Sequence, residues 1–296
     1  MDKVSRLRWQ IGFDTDIGGG RENQDDCLVW SSVRDGICVL CVLDGHGREV
    51  GRVAANIAKR SLQEYFEEHY NELKTSPYNC LVRAHEVAHS AIKHGFKVEL
   101  SGQGYDVFES SEGYLLKSKK GLQQWSCIHG GSTCSIFALV DGVLHTANVG
   151  DSTGLICSAL PVLCKADISI EGDAAVSDSM RKKYSCCVTT DDSDKWDKSQ
   201  TLIVTAEHSP ESPYEFLRLR DFRPRVDCPE QPSLNIVYDT PAHEKAKCPP
   251  VFTLTDNNMP IVNDKGRYAE ISVKFVILNT TKLALISFSV NFRTTP

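Results

Sequence analysis

Two apolar runs near the start of the chain, Cys27–Trp30 and Ile37–Leu43, stand on either side of Arg34-Asp35-Gly36. Asp-Gly between apolar runs is a turn signal, so residues 26–43 read as a β-hairpin. The second run stops abruptly at Asp44-Gly45-His46-Gly47. A strand there hands polar residues to a tight, glycine-lined loop. Val50, Val53, Ala54, Ile57, Ala58, Leu62, Tyr65 and Phe66 then recur at spacings of three and four, the apolar face of a helix. Thr75-Ser76-Pro77 punctuates it, and a second helix is expected over 79–94. Residues 95–125 are polar and glycine-rich and read as a loop or lid. Strands are expected at 132–140 and 143–149, joined by Asp141-Gly142, with a turn at Gly150-Asp151-Ser152 and a further strand at 155–157. Residues 160–200 read as an irregular surface insertion. A short strand follows at 202–204 and a short helix at 213–220. From Ile271 to Val290 the chain turns apolar and β-branched, with no acidic residue. No internal repeat is visible.

The 296 residues suffice for a real core, and 41% apolar with 24% charged residues is ordinary globular composition. A net charge of -6 argues against nonspecific binding to a nucleic-acid backbone. The polar start and the lack of an 18-residue apolar run suggest a soluble chain without a membrane span, placed inside the cell, cytoplasmic or nuclear. The pattern leaves oligomeric state open. Twelve cysteines are scattered through the sequence. Cys38 and Cys41 form a C-x-x-C, but on a strand they point to opposite faces, which favours packing over metal or redox chemistry.

Chemistry concentrates at Asp44. A strand ending on an aspartate places the carboxylate at the rim of a sheet, and glycines let the backbone turn and a ligand come close. The Gly45 carbonyl is then also available to a hard cation. Oxygen ligands suit Mg²⁺ or Mn²⁺. One carboxylate bridging two such ions would ready a water for attack on phosphorus, with His46 placed to protonate a leaving alkoxide. Taken alone, D-G-H-G is also an ordinary turn. A rival lies at His85-Glu86-Val87-Ala88-His89, which spells the zincin letters H-E-x-x-H. No third ligand follows at a zincin spacing, so a surface or half-buried helix is the plainer reading.

Asp44 has company in sequence. Upstream lies Arg21-Glu22-Asn23-Gln24-Asp25-Asp26. Downstream lie Gly130-Gly131-Ser132-Thr133, Ala147-Asn148-Val149-Gly150-Asp151-Ser152 and Leu202–Pro210. In this order and spacing the set resembles the PPM family of metal-dependent, type 2C protein serine/threonine phosphatases, over about residues 11–268. The resemblance implies an α+β fold, a sandwich of two antiparallel β-sheets flanked by helices (α-β-β-α), here incomplete. It implies that Asp44 bridges two metals with the Gly45 carbonyl on one of them, that Asp25 joins through waters, and that Asp151 meets a further, weaker ion. Asp26 replaces Asp25 if the register slips by one. Arg21 would hold the substrate phosphate and His46 would be the general acid. Phosphorylated proteins would be the substrates. Without Asp44 nearby, Arg21 and Asp25 would read as a solvated turn, and Asp151 as a hairpin turn residue.

The sequence also departs from the family pattern. Arg48, Cys134 and Thr153 replace the usual Gly, Ala and Arg. The two aspartates that family members supply from their C-terminal third, in D-G-[LVI]-[WF]-[DE] and G-x-x-D-N contexts, have no counterpart here; Asp256-Asn257 matches two letters. The likeness stops near Tyr268. Residues 1–268 therefore read as the N-terminal part of a phosphatase domain and 269–296 as a divergent tail, as in a truncated or differently spliced product. Two functions compete on this basis: an active phosphatase, and a catalytically impaired relative that binds phosphoprotein partners without turnover.

Overall fold

The computed structural model describes residues 11–18, 21–110, 113, 115–157, 168–171, 201–205, 208, 212–213, 215–217, 252–262 and 287–291. Its main element is an antiparallel sheet. The expected hairpin forms from β1 (Asp25–Ser32) and β2 (Ile37–His46), in the register Asp25 to Asp44 through Ser32 to Ile37. After helices α1 (Gly51–His69), α2 (Glu72–Thr75) and α3 (Pro77–Gly102) the chain builds β3 (Tyr105–Glu109), β4 (Leu115–Lys119), β5 (Ser126–Cys127) and β6 (Gly131–Ser132). Strands β7 (Cys134–Val140) and β8 (Val143–Val149) return to the main sheet, and β9 (Leu155–Cys157), β10 (Ile168–Glu171), β11 (Thr201–Ile203), β12 (Phe252–Leu254), β13 (Pro260–Val262) and β14 (Ser287–Asn291) complete the order. The sheet runs β1-β2-β7-β8-β14-β10, with β6 also pairing β2.

Alternation decides what each face of this sheet does. Odd-numbered residues of β2 (Ile37, Val39, Cys41, Leu43) are buried against the helices with Leu28, Ile136, Ala138, Leu62, Phe66, Leu81 and Ala84. Burying a Leu- or Phe-sized side chain contributes roughly 1.5–3 kcal/mol, so this face anchors the hairpin. Trp30 locks β1 to α1 through Phe66 and Tyr70. Cys38 lies on the opposite face from Cys41, as strand geometry requires. That far face carries Asp25, Asp44 and His46 on β1 and β2. Over β7 and β8 it is covered by the β9–β11 pair: the Thr146 hydroxyl donates to the Val204 carbonyl at 2.9 Å, and Gly154 packs on Phe137.

Several expectations need correction. The second helix runs on to Gly102, because Phe96 and Leu100 are buried in a second cluster with Val50, Ala54 and Leu115. Gly95 looks like a helix stop, but the missing Cβ is what lets Ile57 of α1 pack against α3. Residues 95–125 are not a plain loop: β3, β4 and β5 form a small sheet, tied to α3 by ion pairs from Lys93 and Lys97 to Glu109. Those two ammonium groups hold the Glu109 carboxyl below the usual carboxylate range. Part of the stretch expected to be an irregular insertion forms β10, which pairs with β14 from the apolar tail; β14 in turn pairs with β8. Asp256-Asn257 sits in the hairpin turn between β12 and β13, where the Asn258 amide donates to the Thr255 carbonyl. Of the expected helix at 213–220, residues 213 and 215–217 are helical and the rest lie outside the described residues.

The zincin reading fails on geometry. His85 is buried, with Nδ1 2.8 Å from the Leu81 carbonyl and Nε2 3.3 Å from the Cys134 carbonyl, so both ring nitrogens face backbone oxygens. Burial holds its pKa below the ordinary value. A zinc ligand needs one of those nitrogens bare. His89, on the next turn, is exposed.

Thiol chemistry checks the packing. Burial pushes Cys134 up to about 12 and Cys80 up to about 11, and raises Cys41 well above the usual thiol range. A higher pKa means less thiolate at pH 8, so these three react with a maleimide only on unfolding. Exposed Cys127 reacts in the native state. Peptide mapping after a short pulse of reagent, with and without denaturant, reads the difference.

Candidate functional site at the rim of the hairpin

Four short segments meet at the end of β2. The first is the run before β1. The Asn23 carboxamide oxygen accepts from the Asp25 amide at 2.9 Å, and the Gln24 side chain donates to the Gly47 carbonyl at 3.1 Å. The Gly45 amide donates to the Gln24 carbonyl at 3.2 Å. Asn23 and Gln24 thus fix the entry of β1 against the loop that follows β2. Asp25 then lies directly across from Asp44. Residues directly opposite in an antiparallel pair share a face, and here the two side chains are close enough to hydrogen-bond.

Asp26 points the other way. Its carboxylate meets Lys59 at 2.8 Å and Arg52 at 3.6 Å, both on α1. The strand therefore divides two adjacent aspartates between two tasks, and it is Asp25 that shares the face of Asp44.

The second segment is Asp44–Gly47 itself. Gly45 is buried, and a Cβ there would lie 2.6 Å from the Gln24 carbonyl oxygen and press on the Gly51 carbonyl. Gly47 has φ +107, in the left-handed region that favours glycine. The Gly51 amide closes onto the Gly47 carbonyl at 2.9 Å, so α1 begins as soon as the loop ends.

The third segment is Gly130–Thr133. Strand β6 pairs Gly131 with His46 and Ser132 with Gly45. The His46 ring lies beside Gly131, whose Cβ would be 3.3 Å from Cε1. Thr133 binds Asp44 twice along the backbone: its amide donates to the Asp44 carbonyl at 2.8 Å, and its hydroxyl oxygen accepts from the Asp44 amide at 3.0 Å.

The fourth is the turn at 150–152. The hydroxyls of Thr133 and Ser152 are 2.8 Å apart. Gly150, at φ +109, packs on the Thr133 side chain. His208 clasps the same turn, its amide donating to the Gly150 carbonyl and its Nδ1 accepting from the Gly150 amide, each at 3.2 Å. The expected motif at 202–210 thus reaches the site through His208.

Electrostatics shows how closely these groups converge. The Asp44 carboxyl is pushed above its ordinary range by partial burial first, then by Asp25 and by Asp151, with His46 pulling the other way. Asp25, Asp151 and His46 therefore each act on Asp44. Arg21 stands exposed in the bend before β1, with no hydrogen bond or ion pair to another described residue. Among the described residues no three Asp, Glu, His or Cys groups close into a metal-holding cluster. A paired carboxylate with a third at electrostatic distance still fits a hard cation that keeps most of its waters and takes one or two carboxylates directly.

The sequence reading missed the work of Asn23, Gln24 and Thr133. All three lie inside the motifs singled out, but Gln24 and Thr133 work through hydrogen bonds across 23 and 89 residues of chain, and Asn23 through its local bond to the Asp25 amide. The packing at Gly45 yields a prediction. Gly45→Ala forces two backbone segments apart, and overpacking of this kind costs about 1–3 kcal/mol. A urea titration is expected to show a lowered midpoint with unchanged slope.

Residues 14–160 match the family model for protein phosphatase 2C. No curated protein matches the chain. No helix among the described residues is long and apolar enough to cross a membrane. The matched span holds Asp25, Asp44, Asp151 and His46, and it supports a phosphatase domain of the PPM, type 2C family in the N-terminal part of the chain.

Proposed function

We propose that the chain is a metal-dependent protein serine/threonine phosphatase whose reaction centre is the rim around Asp44. The observation that carries the reading is the carboxylate pair Asp25–Asp44, set opposite each other on neighbouring strands, with the Asp151 charge also acting on Asp44. Like charges so placed destabilise a sheet. A divalent cation turns that cost into a binding site.

In this reading Asp44 and the Gly45 carbonyl would hold Mg²⁺ or Mn²⁺, with Asp25 and Asp151 as the further carboxylates. The ions would lower the pKa of a water and offset phosphoryl charge. Arg21, exposed and free of described partners, is suited to a bidentate grip on the substrate phosphate. His46, braced beside Gly131, hands a proton to the departing serine or threonine oxygen. The β9–β11 layer over β7 and β8 supports a sandwich arrangement of the family kind.

A second reading is favoured by one observation: among the described residues the acids do not close into a full metal cluster. Fewer carboxylates mean less compensation for two divalent charges. On this reading the chain binds phosphoproteins without turnover.

Asp44→Asn separates the possibilities through two opposite effects. A carboxyl whose folded pKa is raised destabilises the fold when charged, at pH above that raised value. The metal-free protein therefore gains stability as pH falls through it. At pH 7 the asparagine is expected to stabilise the metal-free chain by about 0.2–0.5 kcal/mol, the low end for a solvent-screened pair. The same change is expected to reduce Mn²⁺-dependent hydrolysis of p-nitrophenyl phosphate to the metal-only background. Hydrolysis unaffected by the substitution would sink the proposed centre. A wild-type chain that binds a phosphopeptide but releases no phosphate supports the second reading.

A further inference from the structure

Asp44 and Asp151 come from loops more than a hundred positions apart in sequence, yet they act on each other electrostatically. Something must hold those loops in step. We infer that the hydroxyls of Thr133 and Ser152 form a positioning clasp that sets the separation of the Asp44 and Asp151 carboxylates; this rests on the metal-centred reading above.

The bonding is specific. A threonine hydroxyl offers one proton and two lone pairs. At Thr133 one lone pair is committed to the Asp44 amide at 3.0 Å. The remaining contact, 2.8 Å to the Ser152 hydroxyl, joins Asp44 to the residue that follows Asp151. The clasp has little slack on either side. Thr133 also donates its own amide to the Asp44 carbonyl, so its backbone cannot drift from β2. Gly150 leaves room for the Thr133 methyl group and no more: a Cβ at position 150 would lie 2.6 Å from it. The Ser135 hydroxyl reaches the Ser152 carbonyl at 3.5 Å, bracing the turn from β7. His85 steadies the next residue along, facing the Cys134 carbonyl from α3.

Neither hydroxyl needs to touch a metal or a substrate for this role. They act through the two aspartates. A change in the separation of the carboxylates alters how well they share a hydrated cation, and residues that orient ligands in this way typically govern about 10- to 100-fold in metal affinity.

Thr133→Val keeps the shape and removes the hydroxyl, Ser152→Ala cuts only the far end, and Thr133→Ser restores the hydroxyl. Mn²⁺ binding measured calorimetrically on the full chain is expected to weaken about tenfold in Thr133→Val and in Ser152→Ala. Thr133→Ser is expected to bind like wild type. The same variants, assayed with p-nitrophenyl phosphate, are expected to need more Mn²⁺ for half-maximal rate and to recover wild-type kcat at saturation. Because a bound metal also stabilises the native fold, it is Thr133→Ser that separates the hydroxyl's role from a structural defect. Wild-type Mn²⁺ affinity in both Thr133→Val and Ser152→Ala overturns the clasp and leaves the metal-centred reading standing. An equal loss in Thr133→Ser also overturns it, because the hydroxyl is then not the cause. A wild-type chain with no measurable Mn²⁺ binding overturns the metal-centred reading, and the clasp falls with it. Ser152→Ala keeps the test decisive should Thr133→Val fail to fold.

Discussion

Everything at the rim depends on two carboxylates being held face to face. Asp25 and Asp44 are brought together by a register, Asp25 opposite Asp44, that runs unbroken along β1 and β2 to the turn at 33–36. Their repulsion opposes that register. The opposite face of the same two strands supplies the compensation: Leu28, Val39, Cys41 and Leu43 are buried against α1 and α3, and Trp30 against Phe66 and Tyr70. Slipping by one residue would expose all of these at once. A strongly specified hydrophobic face thus enforces an unfavourable polar one.

The backbone around the pair is equally constrained. Gly45, Gly47 and Gly130 leave no space for a side chain where the loop, β6 and the start of α1 touch. Hydrogen bonds from Gln24 and Thr133 close the same region from two sides. Rigid support suits a centre whose parts must keep their separation while charge builds on the substrate.

Much of this was legible in the sequence. The hairpin turn at Asp35-Gly36, the strand that halts at Asp44 and the helical spacing from Val50 to Phe66 each carry a local signal that tertiary structure leaves intact. The choice between Asp25 and Asp26 was not legible, because it depends on which face α1 covers, and that was settled by Lys59 and Arg52 lying 33 and 26 residues downstream. The length of α3 was hidden for a related reason. Gly95 has the local character of a stop, but its neighbour Ile57 on another helix makes the small residue an asset. The β3–β5 sheet was masked by polar residues whose partners, such as Lys93 and Lys97 for Glu109, sit on α3. His85 misled through its letters alone, because the carbonyl oxygens of Leu81 and Cys134 that face its two nitrogens come from the fold and not from the local sequence pattern.

The division of labour between Asp25 and Asp26 has an evolutionary corollary. Many substitutions along β1 leave the two faces distinct, because each residue keeps its side. Loss of a single residue between Cys27 and Ser32 would instead set Gln24 opposite Asp44 and turn Asp25 toward Lys59. The strand is thus open to point changes and closed to length changes, so related chains are expected to drift in composition here while the count of residues from Asp25 to the turn stays fixed.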